Sequence, residues 1–240
     1  MTLRLAKRLY RAAVTLDLEE RAVLGFVNRS CAGQPGRARI LDVGCGKGRY
    51  LRLLRAVGYS PTGVEVNPDI VRANRNAGFD CFTPKQLTAD AGSFDAVLMS
   101  HVIEHLSPAD LVRFMDEYLD RLRPGGYLII ATPLLSKFFY DDFDHVKPYH
   151  PFGLLMVFGD GQAQVQYYAR NRLELEDVWI RRSPLCLGHG RSRYVPSWRT
   201  RARQAADFTC ALLYRATGGI IGTADGWVGL FRKLPTKAPT

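Results

Sequence analysis

The stretch ILDVGCGKGRYL, residues 40–51, sets three glycines at alternate positions, behind an apolar run and ahead of a leucine-rich one. The branched residues of RILDV (39–43) suit a short strand. Tyr50 to Val57 repeats apolar residues at helical spacing and stops at Gly58, a residue suited to the position just past a helix. The glycines therefore fall where a strand hands over to a helix. Removing three Cβ atoms there lets the chain turn sharply and lets a ligand approach the main chain. The helix behind the turn offers unpaired N–H groups to a carboxylate or phosphate.

Outward from this point, strand and helix alternate. TGVEV (62–66) reads as a second strand, and Asn67-Pro68 as the cap and first residue of a helix reaching about Asn76. FDCF (79–82) suits a short third strand and FDAVLMS (94–100) a buried fourth. Ser107, Pro108 and Asp110 open a helix with Leu111, Phe114, Tyr118 and Leu122 on one face. Pro124-Gly125-Gly126 is expected to end it, and YLIIAT (127–132) to form the next strand. Strands separated by single helices imply parallel pairing through right-handed crossovers, hence a doubly wound α/β sheet. In such sheets ligands bind beyond the carboxyl ends of the strands, where the glycines lie.

Which ligand is a question of spacing. A phosphate-binding GxxxxGK loop needs Ser or Thr after its Lys, but Gly48 follows Lys47 and Leu41 stands where its first glycine belongs. The dinucleotide fingerprint GxGxxG would begin at Gly44 and Gly46 and need a small residue at Arg49; here the third glycine is Gly48. A tight turn with no ligand also stands open. Two acids favour a ligand. Asp42 lies two residues before the first glycine, and Glu65 ends the second strand, where a carboxylate accepts hydrogen bonds from ribose hydroxyls.

ILDVGCGKGRYL, GVEVNPDIV, FDAVLMSHVIEHL and LRPGGYLIIATP, in this order, resemble the four successive motifs of class I S-adenosylmethionine-dependent methyltransferases. The nearest likeness is to the branch that methylates small molecules, quinones, lipids and sugars. It covers residues 39–133 and continues through DHVKPYHPFGLLMVF (144–158), which is similar to that branch's His-x-x-x-Tyr segment. The resemblance implies a Rossmann-like sheet of seven strands, mostly parallel with the last antiparallel, the last being GWVGLFRKL (226–234). It implies S-adenosyl-L-methionine as cofactor, with Asp42, Gly44, Cys45, Gly46 and Gly48 around its amino-acid end. Glu65 would hold the ribose, with Val66 and Asn67 beside the adenine, and carbonyls near Ser100 and His101 would accept from the ammonium. Many relatives carry an acid after the third strand to read the adenine amino group. FTPKQLTADAGSFD (82–95) begins without one, which leaves Thr83 or a backbone carbonyl in that role.

Methyl transfer is a one-step displacement in which alignment of acceptor, methyl and sulfur can supply ~7–11 kcal/mol. An oxygen acceptor also needs its proton removed. The candidate bases are His105, His101 and His145, with His150 on the same later loop as His145 and with His101 also lining the cofactor pocket; a histidine base contributes typically ~10²–10⁴-fold. Glu104-His105 has a second reading as part of a divalent-metal site, as in some quinone methyltransferases, and a plain reading as polar residues at a helix entry; no metal is expected. Residues 1–36 read as N-terminal helices covering the site, residues 37–240 as the methyltransferase domain, and 136–225 as acceptor-side insertions. Asp17 and Glu20 form a capping-box pattern before Val23, Phe26 and Val27.

The five cysteines are scattered, with no CxxC pair, which argues against a disulfide framework or zinc site and for a reducing cytoplasm. The net charge of +10 calls for an anionic partner or serves solubility. RSRYVPSWRTRAR (191–203) gathers five arginines with Tyr194 and Trp198, and ADFTCALLYRATGGIIG follows, apolar and glycine-rich. A peripheral membrane contact through Arg191 to Arg203 is one reading; a solvated basic loop followed by a packing helix is the other. The expected activity is methyl transfer to a small-molecule or lipid- or sugar-linked acceptor, through oxygen. An RNA methyltransferase and a non-catalytic methyltransferase-like binding protein are the alternatives. For the first of these, SHVIEH (100–105) stands where an NPPY-type motif would mark a base-amino acceptor.

Overall fold

The computed structural model describes residues 16–31, 36–87, 93–159, 163–187 and 197–235. Residues 1–15 of the expected N-terminal helices, the segment 88–92 and the basic residues 191–196 lie outside them. In chain order the elements are α1 (Leu18–Ser30), β1 (Arg39–Val43), α2 (Arg49–Ala56), β2 (Ser60–Val64), α3 (Pro68–Asn76), β3 (Asp80–Phe82) and β4 (Phe94–Ser100). They continue with α4 (Pro108–Leu119), β5 (Leu122–Pro133), α5 (Pro151–Phe158), β6 (Leu173–Ser183), α6 (Trp198–Ala216) and β7 (Thr223–Lys233). Short 3-10 turns occupy Ile103–His105 and Phe139–Asp141.

The strands form one seven-stranded sheet in the order β3-β2-β1-β4-β5-β7-β6. β1 pairs in parallel with β2 and β4, β2 with β3, and β4 with β5. β7 runs antiparallel to both β5 and β6. The chain leaves β1 toward β2 and β3 on one side, then returns to lay β4 on the other, so the carboxyl ends of β1 and β4 flank the switch point.

Alternation along the central strands explains why both faces are covered. Val97, Met99, Leu128 and Ile130 join a core with Leu111 and Met115 of α4 and Leu154 and Phe158 of α5. Their neighbours Ala96, Leu98, Ile129 and Ala131 join a second core with Val23 and Val27 of α1 and Tyr50 and Leu54 of α2. Side chains of period two thus feed opposite layers, and the strands read as unbroken apolar runs. The described chain divides into two compact units, Glu19–Trp179 with the residues from Trp227 onward, and Ile180–Gly226 with the residues up to Leu18. No helix among the described residues is long and apolar enough to cross a membrane.

Three local expectations differ from the structure. Pro124-Gly125-Gly126 does not end a helix. α4 stops at Leu119, and these residues form a bulge inside β5, where Phe94 faces Leu122 but Ala96 faces Tyr127. Gly125 takes φ 72°, and a Cβ on Gly126 would lie 2.9 Å from the Arg123 carbonyl, so both glycines are needed for the bulge. The second strand runs 60–64 rather than 62–66, which leaves Glu65 just beyond it. Asp17 takes φ 47°, outside the extended conformation of a helix cap.

Candidate active site

Between β1 and α2, Gly44, Gly46 and Gly48 take φ 71°, 49° and 73°. Three left-handed residues at alternate positions are open to glycine at little cost and to other residues only with strain. Close approach adds to this: a Cβ on Gly44 would meet Val102 Cγ2 at 2.5 Å, and one on Gly48 would meet Asn74 Oδ1 at 2.7 Å. Gly46 has nothing within 4 Å of its missing Cβ, so its freedom serves the turn and leaves open space beside the loop. No side chain caps α2 at Gly48, and its first turn carries no acid, which leaves that end electropositive.

Two carboxylates face this loop. Glu65 accepts the Gly46 N–H through Oε2 (3.0 Å) and the Asn67 N–H through Oε1 (2.9 Å). It ties the glycine turn to the end of β2, and each oxygen keeps acceptor capacity for a hydroxyl. Asp42 is 2% exposed, and its Oδ2 is buried with no hydrogen-bond partner. Burial, then the neighbouring Cys81 and Glu65, push its carboxyl up to about 7. A buried acid lacking a partner beside a bare loop is a site made for a cation. The amino-acid end of S-adenosylmethionine carries an ammonium, with the sulfonium beyond it, so these residues fit that group.

Sequence reasoning missed the latch behind the loop. Asn74, on α3 and 4% exposed, donates Nδ2 to the Gly46 carbonyl at 2.8 Å and lies 3.6 Å from Cys45 Sγ. The signal was a polar residue at the buried helical position next to Val71. Cys45 turns its side chain away from the loop's open side: its sulfur lies 3.6 Å from Cys81 Sγ, in a small core with Leu51, Val71 and Phe79. What Cys45 offers a ligand is therefore its main chain. Asn67 caps α3, accepting the Asp69 N–H through Oδ1 at 2.9 Å, and Val66 is 78% exposed beside it. Thr83 follows β3, and its N–H is taken by Gln86 Oε1 at 3.1 Å.

β4 ends at Ser100, and beyond it His101 takes φ 56°, unusual for a residue with a side chain. Its Nε2 lies 3.1 Å from Glu19 Oε1 and its Nδ1 3.3 Å from Glu104 Oε1. Burial works against its charge, but Glu104 and Glu19 outweigh that and hold the imidazole up to about 9. An acid beside each nitrogen favours the protonated ring, which works against a role as base. Glu104 is fully buried; burial raises its carboxyl, and His101 and Thr132 more than offset this, holding it below the usual range. Thr132 donates to Glu104 Oε2 at 2.9 Å. Glu19, another residue the sequence did not single out, reaches His101 from the first turn of α1, while Glu20 pairs with Arg49 Nε at 2.6 Å. Acids in a first helical turn ordinarily answer only the helix dipole, which concealed both roles.

His105 and His145 do meet, with ring centroids 5.0 Å apart. His105 Nδ1 lies 3.0 Å from the Asp144 carbonyl, and His145 Nδ1 2.7 Å from that of Phe139. A carbonyl only accepts, so both Nδ1 atoms carry the proton and both Nε2 atoms keep a lone pair when neutral. Glu104, His105 and His145 present ligand atoms within 4.8 Å of one another, a grouping able to hold a metal, which adds His145 to the Glu104-His105 pair that the sequence offered as a second reading. Tyr149 packs in the core, donating to the Leu106 carbonyl at 2.8 Å, while its own carbonyl accepts from Trp227 Nε1 at 2.9 Å.

A family profile described as a methyltransferase domain matches residues 15–209. The ubiquinone biosynthesis O-methyltransferase of Parvibaculum lavamentivorans is 30% identical over 130 residues, 51% of this chain and 47% of that protein. The mitochondrial enzyme of the same name from Homo sapiens is 35% identical over 115 residues, 41% of this chain and 31% of that one. The chain thus spans less than half the length of these relatives. Among solved structures, a SAM-dependent methyltransferase from Archaeoglobus fulgidus aligns over 88% of this chain and 93% of its own, with TM-score 0.53 and 22% identity. The N-methyltransferase NodS from Bradyrhizobium japonicum, in complex with S-adenosyl-L-homocysteine, aligns over 89% and 86%, with TM-score 0.52 and 14% identity. At these identities the structural likeness is one of fold.

Proposed function

The chain belongs to the class I S-adenosylmethionine-dependent methyltransferases, and from that membership we propose that it methylates a hydroxyl oxygen on a small-molecule or lipid- or sugar-linked acceptor. S-adenosyl-L-methionine is its cofactor. The observation that carries the reading is the three-glycine loop with Glu65 clasping its far side and Asp42 buried without a partner beneath it. Gly44, Gly46, Gly48 and the Cys45 main chain would line the amino-acid end. Asp42 would set the charge there, Glu65 would take the ribose hydroxyls, and Val66 and Asn67 would border the adenine, with Ser100 and His101 closing the near side. When bound, the cofactor supplies an electrophilic methyl on a cationic sulfur.

His105 is the proposed general base. The Asp144 carbonyl orients its proton onto Nδ1, so Nε2 would offer its lone pair to the acceptor hydroxyl. His145 stands against it and would steer the acceptor or share the proton. His101 is assigned to cofactor positioning. Residues 1–36 as a cover over the site and 136–225 as the acceptor side belong to the same proposal; Glu19 at His101 and Glu20 at Arg49 support the first of these. A cytoplasmic location is part of it as well. The names of the quinone-pathway relatives favour oxygen as the attacked atom.

The test is transfer of labelled methyl from S-adenosylmethionine to phenolic and sugar hydroxyl probes. His105→Gln is expected to lower kcat by ~10²–10⁴-fold with cofactor affinity unchanged. Cofactor binding without transfer to any hydroxyl probe would overturn the oxygen assignment. The grouping of Glu104, His105 and His145 supports a second reading, in which the three hold a divalent cation. Transfer abolished by a chelator and restored by a divalent cation would favour it over a histidine base.

A further inference from the structure

The unit containing α6 carries a feature that methyl transfer does not use. α6 buries Thr200, Ala211 and Tyr214, and Tyr214 donates to the Arg182 carbonyl at 2.6 Å, so this side faces its own unit. At 100° per residue the opposite side bears Trp198, Ala205, Thr209, Leu212, Leu213 and Ala216. This side is turned to solvent: Trp198 is 74% exposed and Leu213 50%, and Ile220, just past the helix, is 75% exposed. A soluble helix ordinarily presents its polar side outward; here the apolar one is outward.

Charge frames the same side. Arg199 and Arg203 run along one border of the band, Arg201 and Arg215 along the other. Arg199, Arg201 and Arg203 make no ion pair among the described residues, and Arg199 lies over the Trp198 ring at 5.5 Å. The one acid of the helix, Asp207, is turned inward and accepts the Leu187 N–H at 2.6 Å. An apolar strip bordered by cations on both sides, with its acid withdrawn, matches the boundary between acyl chains and anionic headgroups. Two copies of the chain packed face to face would set arginine border against arginine border. A nucleic acid would use the arginines but has no use for Leu212 and Leu213.

We infer that the outward face of α6 docks this protein on an anionic lipid bilayer, with Trp198, Leu212 and Leu213 among the acyl chains and the arginines at the headgroups. The inference stands apart from the acceptor's identity. It narrows the expected basic contact to a helix face and shifts its weight from arginines alone to arginines with an apolar strip.

The experiment is co-sedimentation of the full chain with vesicles of phosphatidylcholine, with and without phosphatidylglycerol. Binding is expected only when phosphatidylglycerol is present. The triple replacement R199Q/R201Q/R203Q should weaken it about 100-fold, and L212Q/L213Q should weaken it as well. Trp198 emission should shift to the blue on binding, and W198F should abolish the shift, because Trp227 is buried and Trp179 is packed against the core. S-adenosylhomocysteine binding should be equal in all variants, which shows that they are folded. Vesicle binding that ignores L212Q/L213Q would overturn the inference. So would a dimer in ultracentrifugation that L212Q/L213Q dissolves, or tight RNA binding that survives the same change.

Discussion

Asp42 shows how a site residue trades stability for binding. Its pKa rises from an ordinary 3.8 to about 7, so between those values the folded chain holds a proton that the unfolded chain has released. Stability from this group therefore falls as pH rises from about 4 to about 7. Asp42→Asn removes the penalty. Its melting temperature is expected to exceed the parent's at pH 8, with the gap closing toward pH 4, while S-adenosylmethionine affinity drops at least about 10-fold in calorimetry. An unchanged affinity would remove Asp42 from the site. His101 shifts in the same direction, and its contribution also falls with rising pH, but as a stabilisation lost at high pH where Asp42 is a penalty gained. Its pKa is raised from 6.5 to about 9, so its pairing with Glu104 and Glu19 stabilises the fold fully below 6.5 and is lost as pH passes 9. Glu19→Gln should lower the His101 titration seen by NMR and cost up to about 1 kcal/mol at pH 7 and nothing at pH 10, a small effect because the ring is 39% exposed. An equal loss at both pH values would mean that Glu19 acts by packing alone.

Among the elements, β7 does more than close the sheet. Its Lys233 is 7% exposed and donates Nζ to the carbonyls of Leu119 (2.5 Å) and Leu122 (2.9 Å), the last residue of α4 and the first of β5. One buried ammonium thus satisfies carbonyls on both sides of the turn that the sequence reading placed at Pro124. Lys233→Met keeps the stem and removes the donor; it should cost about 1–3 kcal/mol in denaturant melts, because two buried carbonyls lose their partner. Asp116 of α4 plays the matching part for the segment ahead of β6, accepting the N–H groups of Arg170 and Asn171 at 3.0 Å each. These elements were legible as helix and strand from periodicity. The start of α4 at Ser107 was legible too, but its end and the start of β5 were not, because that turn is held by a lysine more than 100 residues away in the chain.

At the scale of the molecule, a cofactor that binds only the folded chain raises its stability by about 2.7 kcal/mol at 100 times Kd. Thermal melts with S-adenosylmethionine should therefore rise by roughly 5–10 °C. Glu65→Ala should abolish most of that rise; a full rise in the variant would dismiss the clasp. The doubly wound sheet, the handover at Gly44 to Gly48 and the strand-end acid at Glu65 were set by the sequence itself, because alternation, glycine and spacing act locally and leave their marks in adjacent residues. The folded chain alone decided that His101 stands between two carboxylates, that His105 faces His145 across 40 residues of chain, that Asn74 latches the loop, and that α6 turns its apolar side outward. Each of these is a meeting of distant residues, or a choice of which helix face to bury, and such choices are made by packing, which no local pattern records.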